Sequence, residues 1–335
     1  CELMVEIAQD TSVAINVIPR EITTNPRKSD KVFRAIVTLV GLVAFAVLLL
    51  IGTFLALRGF QIFKIEGFKF LTSSDWNVTS DDAGNQTYTF GIAAMLIGTV
   101  LIAITALSIG VPLSVMTALY LNFYAPERIK KLLTAVIDLM AAFPSILYGL
   151  WGYFVVMPMV IYWAKLLHKY LGFIPIFDVQ EAFYERSPFL AGIVLAIMII
   201  PIVTSVSREI FSQTPLDRIQ AAYALGATRW AMLKTVVLPF GSSGVVGGAM
   251  LGLGRAFGET VAVYSILNIV FKVNWHILFG MGGNVASMIV LKWGEASPIE
   301  TKALLAAGFV LFLLTLAVNF LADFIVNRAV KSGKA

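Results

Sequence analysis

Arg255 and Glu259 stand four residues apart inside an otherwise apolar run, Gly252-Leu253-Gly254-Arg255-Ala256-Phe257-Gly258-Glu259-Thr260-Val261-Ala262-Val263. A charge at the centre of a membrane helix costs about 2.5–3.5 kcal/mol on insertion scales, so a cation and an anion here are expected to face each other or a polar cavity. Helical spacing of four puts both on one face. The arginine fork matches a tetrahedral oxyanion through two parallel hydrogen bonds. Two readings therefore stand side by side, an anion path and a structural ion pair that ties two helices. Asp138 is a third acid expected to be buried, six residues before Pro144, and either lines the same path or serves as a local structural partner. Ser145 and Thr260, with Thr204 and Ser205, carry hydroxyls able to donate to a passing oxyanion, although membrane hydroxyls more often bond their own helix backbone.

A second segment has the makings of a protein contact. Thr214-Pro215-Leu216-Asp217-Arg218-Ile219-Gln220-Ala221-Ala222-Tyr223-Ala224-Leu225-Gly226 continues to Leu238-Pro239 and reads as two short helices. Thr214 is the expected N-cap, Pro215 the first helical residue and Asp217 a first-turn acid. Gly226 allows the turn between the helices, and Pro239 is expected to follow the second. Ala221 and Ala222 leave a shallow surface on which another protein can approach.

Catalysis within the chain is not expected. The only Gly-Lys pair, Gly333-Lys334, is followed by Ala335 and lacks the upstream glycine of a nucleotide-binding loop. One cysteine, Cys1, and two histidines, His168 and His276, exclude an internal disulfide and an ordinary Cys/His metal site. No cofactor is expected in this chain.

The elements that must position these residues are membrane helices. Of 335 residues, 59% are hydrophobic and 13% charged, and the mean hydropathy is +0.86. A soluble domain has roughly 45–50% apolar and 25% charged residues. Six apolar stretches, about 35–57, 91–121, 132–161, 190–206, 243–270 and 303–326, each reach the length of about 20 residues that a span requires. Pro112, Pro144, Pro158 and Pro201 interrupt them and predict bends or local unwinding. Gly248 and Gly252, then Gly254 and Gly258, form two small-residue repeats that permit close helix contact.

Charge sets the orientation. With the N-terminus inside, the inner segments hold 15 Lys+Arg against 8 Asp+Glu, and the outer loops 9 against 9. That asymmetry predicts six spans with both termini cytoplasmic. It also accounts for the net charge of +5 without nucleic acid as a partner; membrane lipid is the expected surroundings. Residues 1–30 read as a cytoplasmic arm, and 31–335 as the membrane domain with its cytoplasmic loop at 208–240. The first outer loop carries two formal glycosylation triplets, at Asn77 and Asn85. Trp163, Tyr170, Phe183, Tyr184, Trp275 and Trp293 are expected to anchor at the membrane interface.

The cytoplasmic loop resembles the EAA motif of ABC-importer permeases: Gln220-Ala221-Ala222, Gly226, Val236 and Leu238-Pro239 fall in its register. Gln220 replaces the motif's glutamate and so removes a charge. In that family the loop docks on a cytoplasmic ATPase, so the resemblance implies ATPase coupling for Gln220, Ala221, Ala222 and Gly226. The run from Leu251 to Thr260 resembles the Gly-Arg-Ala-x-Gly-Glu-Thr signature of phosphate-importer permeases of the PstC type. Ala141-Ala142-Phe143-Pro144-Ser145-Ile146-Leu147-Tyr148-Gly149, Ala196-Ile197-Met198-Ile199-Ile200-Pro201 and Ala224-Leu225-Gly226-Ala227-Thr228-Arg229-Trp230 are each similar to segments of the same family. The sibling permease of such importers has Gly-Glu-Thr-Ala-Pro where this chain has Gly258-Glu259-Thr260-Val261-Ala262.

The resemblance implies an all-α polytopic membrane protein of the type I ABC-importer permease fold, resident in a bacterial inner membrane. It implies transport-critical roles for Arg255 and Glu259. It further implies a homologous second permease (PstA type), an ATPase dimer (PstB type) that binds ATP and Mg, and an external phosphate-binding protein (PstS type). Another oxyanion, sulfate or molybdate, and an ATP-independent ion-coupled carrier are the alternatives.

Overall fold

The computed structural model describes residues 28–80, 86–179 and 181–332. In chain order the elements are α1 (Lys28–Glu66), α2 (Lys69–Thr72), a hairpin of β1 (Trp76–Ser80) and β2 (Gln86–Phe90), α3 (Ala93–Phe123), α4 (Glu127–Ala142), α5 (Ser145–Trp151), α6 (Met157–Leu171), α7 (Pro188–Ser212), α8 (Leu216–Ala224), α9 (Arg229–Met232), α10 (Leu238–Gly258), α11 (Val261–Ile266), α12 (Val285–Trp293) and α13 (Pro298–Ser332). Among the described residues six helical stretches are long and apolar enough to cross a membrane: α1, α3, Ser145–Leu171, α7, Arg229–Gly258 and Pro298–Phe324. The all-helical, multi-pass class read from hydropathy is the one observed, with the outer hairpin as the single addition.

The chain divides into two units within α1, at Ile51 and Gly52. The first unit is described only for 28–51, one continuous helix. Residues 1–27, most of the expected cytoplasmic arm, lie outside the described residues, as does Asn85 of the second glycosylation triplet. Everything below concerns the second unit.

Two span boundaries differ from expectation, and proline is the reason for the first. The third span does not run over 132–161. Pro144 disfavours helical geometry at Phe143, which is extended (φ −67°, ψ 134°), so α4 ends at Ala142 and the span proper is Ser145–Leu171. The Tyr148 hydroxyl donates to the Met140 carbonyl at 2.7 Å and ties the two sides of the break. The fifth span runs from Arg229 to Gly258 rather than over 243–270. Pro239 does not end its first segment; the helix passes through it.

Two wide turns let the proline-containing spans continue. Gly152–Val156 and Leu233–Val237 are π-helical, and each is followed directly by a residue and a proline, Met157-Pro158 and Leu238-Pro239. Proline removes one helical hydrogen bond and its ring crowds the preceding turn. Widening that turn by one residue relieves the crowding while most carbonyls keep a partner.

The membrane core is the pairing of α3 with α7 and of α7 with α10. A Cβ on Gly192 would lie 2.5 Å from Thr105 Cγ2, and one on Gly110 would lie 2.9 Å from Ile199, so only glycine admits this approach. Ser114, fully buried, donates to the carbonyl of Gly110 at 2.7 Å and to that of Ile200 on α7 at 3.2 Å. Thr204, expected beside the path, is buried instead and donates to the Ser114 carbonyl. Gly248 and Gly252 pack on Val206 and Val203 as the small-residue pattern predicts, whereas Gly254 and Gly258 meet nothing within 4 Å.

At the hairpin end Ile62, Phe70, Trp76, Phe90, Met95 and Leu304 form a second core. Trp76 is buried there, stacked on Phe271 at 5.6 Å and donating to Glu300 at 3.2 Å. Trp163, Tyr170, Trp275 and Trp293 are exposed. Tyr184 is not: it is buried in a small outer cluster with Ala164 and Leu278.

Gly98 meets the chain that precedes α12 so closely that an added Cβ would sit 2.0 Å from the Gly283 carbonyl oxygen, while Gly247 faces open space. Overpacking costs about 1–3 kcal/mol, so Gly98→Ala should lower the thermal midpoint of the detergent-purified chain and Gly247→Ala should not. Equal midpoints for the two variants would contradict this packing.

Candidate functional site

The site is built around a helix that stops in the membrane. α10 ends at Gly258, and Glu259 turns into extended geometry (φ −70°, ψ 122°) before the short α11 begins. Backbone polar groups at membrane depth need partners inside the protein. The Glu259 carbonyl accepts from the Asn284 side-chain amide at 2.7 Å. The Glu259 carboxylate turns forward and accepts from the Ala262 backbone N–H at 3.2 Å, so the acid caps α11.

Asn284 holds this break from the far side of an extended connection. It is 1% exposed, and its Oδ1 accepts from the Ser287 N–H at 2.8 Å, which caps α12. The Thr99 hydroxyl on α3 accepts from the Val285 N–H at 3.0 Å and donates to Met95 at 2.6 Å. One asparagine thus joins the end of α10 to the start of α12, and the next residue joins α12 to α3. Sequence reasoning passed over Asn284. The signal available was the spacing Asn284-Val285-Ala286-Ser287 after two glycines, a helix start in an apolar context.

The structure revises the expected geometry of Arg255 and Glu259. They do not share a helix face, because the helix ends between them, and they form no ion pair. Arg255 lies half-buried in the last turn of α10, where a cation is favoured by the helix dipole. Among the described residues its guanidinium has no hydrogen bond and no ion pair. Glu259 is 7% exposed, and one carboxylate oxygen accepts from the backbone.

The remaining residues separate. Thr260 is half-buried between α10 and α11, and its carbonyl accepts from Tyr264 at 2.9 Å. Ser145 is half-buried in the first turn of α5. α5 reaches α11 by close approach, since a Cβ on Gly149 would lie 2.9 Å from Ala262 Cα and 3.0 Å from Ser265. Asp138, expected to be buried, is exposed on α4 and forms no ion pair with Arg255. The break at Pro144 puts it on a different helix from Ser145.

The 208–240 loop folds as two short helices with one shift of register. Pro215, not Thr214, occupies the N-cap of α8, and the Thr214 hydroxyl turns back to donate to Phe211 at 2.9 Å. Gly226 adopts φ +79°, which a side chain would resist, and Thr228 caps α9 by accepting from Ala231 at 3.2 Å. Gln220 and Ala221 are exposed, while Ala222 is half-buried against a core of Phe211, Met232 and Leu233. Leu225 at 89% exposure and Leu216 at 70% stand free beside them.

Residues 110–331 match the family described as binding-protein-dependent transport system inner membrane component. The chain belongs to that family. Its relatives bear this out: a "Phosphate transport system permease protein PstC 2" of Mycobacterium tuberculosis is 42% identical over 92% of this chain and 93% of its own. The "Phosphate transport system permease protein PstC" of Mycobacterium leprae is 44% identical over 84% and 86%, and that of Pasteurella multocida 35% identical over 90% and 93%. Among solved structures, a bacterial alginate ABC transporter in complex with a pentasaccharide-bound periplasmic protein superposes with a TM-score of 0.57 at 15% identity, over 91% of this chain and 99% of that one. This inner membrane component therefore has the fold of an ABC-importer permease, and its family is one of transport subunits rather than catalysts.

Asn284→Ala removes a helix cap and leaves the Glu259 carbonyl without its donor, an expected loss of roughly 2–4 kcal/mol. Asn284→Ser keeps a capping oxygen and loses the amide donor, so it should fall between wild type and alanine in thermal unfolding of the purified protein. An alanine variant as stable as wild type would show that the break is held by something else.

Proposed function

We propose that this chain is the transmembrane permease subunit of an ATP-driven phosphate importer and forms half of the translocation path. The observation that carries the reading is Arg255, an unpaired half-buried cation at a helix break inside a membrane span. A lone guanidinium with free donors suits an oxyanion, whose charge replaces the missing carboxylate. The printed names of its relatives supply the substrate, phosphate.

In this reading phosphate passes Arg255, with the hydroxyls of Thr260 and Ser145 as further donors. Glu259 fixes the break that presents the arginine. Asp138 stands on α4 as a candidate contact to the rest of the assembly. The other half of the path is a homologous permease of the PstA type. An external binding protein of the PstS type delivers phosphate, and a PstB-type ATPase dimer holds ATP and Mg.

The coupling surface is α8 with its exposed Gln220, Ala221 and Leu225, together with the turn at Gly226. α9 continues without interruption through the π turn into α10, so movement of the docked loop is carried along one 30-residue element to Arg255. The excess of Lys and Arg in the segments around α4, α8 and the chain ends supports a bacterial inner membrane location with both termini in the cytoplasm.

Arg255→Ala in the assembled importer should cut phosphate uptake roughly tenfold or more, the scale of losing a hydrogen-bonding partner of a charged group. Uptake at the wild-type rate would remove Arg255 from the path. Ala221→Glu places a bulky acid on the exposed face proposed as the ATPase contact, so ATP hydrolysis should continue with little uptake, or the complex should fail to assemble. An unchanged ratio of phosphate moved to ATP hydrolysed would contradict the coupling role.

A further inference from the structure

A second arginine lies outward of Arg255 along the same pair of elements. From the level of Tyr148 on α5, Gly149 packs on Ala262 and Gly152 packs on Ile266. One residue further, Tyr153 in the π turn donates no charge but offers its hydroxyl oxygen, which accepts from Arg186 Nη2 at 3.0 Å. Arg186 Nη1 donates to the Asn268 side-chain oxygen, two residues beyond α11, and the guanidinium lies over the Tyr153 ring at 4.8 Å. Five residues of helix, roughly 7.5 Å of rise, separate the Tyr148 and Tyr153 levels.

Arg186 is held in place from its backbone outward. It is the only non-glycine among the described residues with positive φ, at 53°, a conformation that persists where the surroundings enforce it. Ser187 beside it is buried and caps α7, accepting from Leu190 at 3.3 Å. On the other side the loop is locked against Gly280, whose N–H donates to the Phe183 carbonyl at 2.8 Å and where a Cβ would lie 2.1 Å from the Glu185 carbonyl oxygen.

Both side-chain partners of this arginine are neutral. Among the described residues it has no ion pair, and three of its five N–H donors are left over after Asn268 and Tyr153. A cross-link serving only stability would be made as well by a carboxylate. An amide and a phenol instead orient the fork and leave its charge uncompensated.

We propose that Arg186 is an outer oxyanion station of the translocation path, held by Asn268 and Tyr153, from which the anion passes inward to Arg255. The proposal rests on the reading of the chain as a phosphate permease. The station takes a tetrahedral oxyanion such as inorganic phosphate through the free edge of its guanidinium. It raises the local anion concentration at the outer end of the seam between α5 and α11.

Asn268→Asp separates a station from a clamp. The carboxylate accepts the same Arg186 hydrogen bond more strongly, so a clamp is preserved while the charge is cancelled. In the complete importer reconstituted into proteoliposomes, with radiolabelled inorganic phosphate as the probe, Asn268→Asp should lower ATP-dependent uptake roughly tenfold although the complex assembles. Arg186→Lys keeps the charge and loses the fork, and should retain much more uptake than Arg186→Gln. Wild-type uptake in Asn268→Asp, or equal losses in the lysine and glutamine variants, would overturn the station and leave a structural clamp. A wild-type importer that takes up no phosphate would overturn the functional reading and this station with it.

Discussion

Every backbone carbonyl and N–H in the apolar layer needs a partner within the protein, and at Glu259 the helix that carries the arginine stops supplying them. The rest of the site follows from how that deficit is met. Asn284 donates to the Glu259 carbonyl, and the Glu259 carboxylate accepts from Ala262. Both groups are thereby spent on the break. Among the described residues Arg255 is left without a carboxylate partner, which is the basis on which it is proposed as an anion contact rather than half of an ion pair.

The same constraint shapes the spans themselves. Proline lies inside four of them, and in the third and fifth the turn before it widens to a π turn instead of breaking. The consequence at Leu233–Val237 is a rod that is continuous from the cytoplasmic loop to the arginine. The consequence at Gly152–Val156 is that Tyr153 is turned toward Arg186. Bulk is withheld where helices must touch: Gly192, Gly110, Gly248 and Gly252 each admit a neighbour at van der Waals distance or less. Gly254 and Gly258 leave one stretch of α10 without a neighbour within 4 Å.

Much of this was legible in the sequence, and the failures have physical causes. Hydropathy located six spans because the apolar stretches are long and the charges sparse. It misplaced the third and fifth because average hydropathy does not register Pro144 or a helix end at Gly258. The spacing of Arg255 and Glu259 implied a shared face only as long as the helix continued. Asp138 was expected inside because its neighbours are apolar, yet α4 is a separate amphipathic helix with that residue on its open side. Thr214 had the chemistry of an N-cap and lost the place to Pro215 by one residue. Asn284 was readable as a helix start but not as a tie to the break, and Arg186 was not readable at all, for a different reason. Their roles depend on partners 25 and 82 residues away, at Glu259 and Asn268, which no local pattern reveals.

The central claim is that this chain, with its partners, moves phosphate at the expense of ATP. ATP-dependent uptake of radiolabelled phosphate into proteoliposomes holding the complete complex, with excess sulfate in a parallel sample, tests it most directly. The account predicts uptake that requires ATP and the binding protein and is indifferent to sulfate. Suppression by sulfate would assign a different oxyanion, and uptake without ATP would contradict the coupling loop and the importer mechanism built on it.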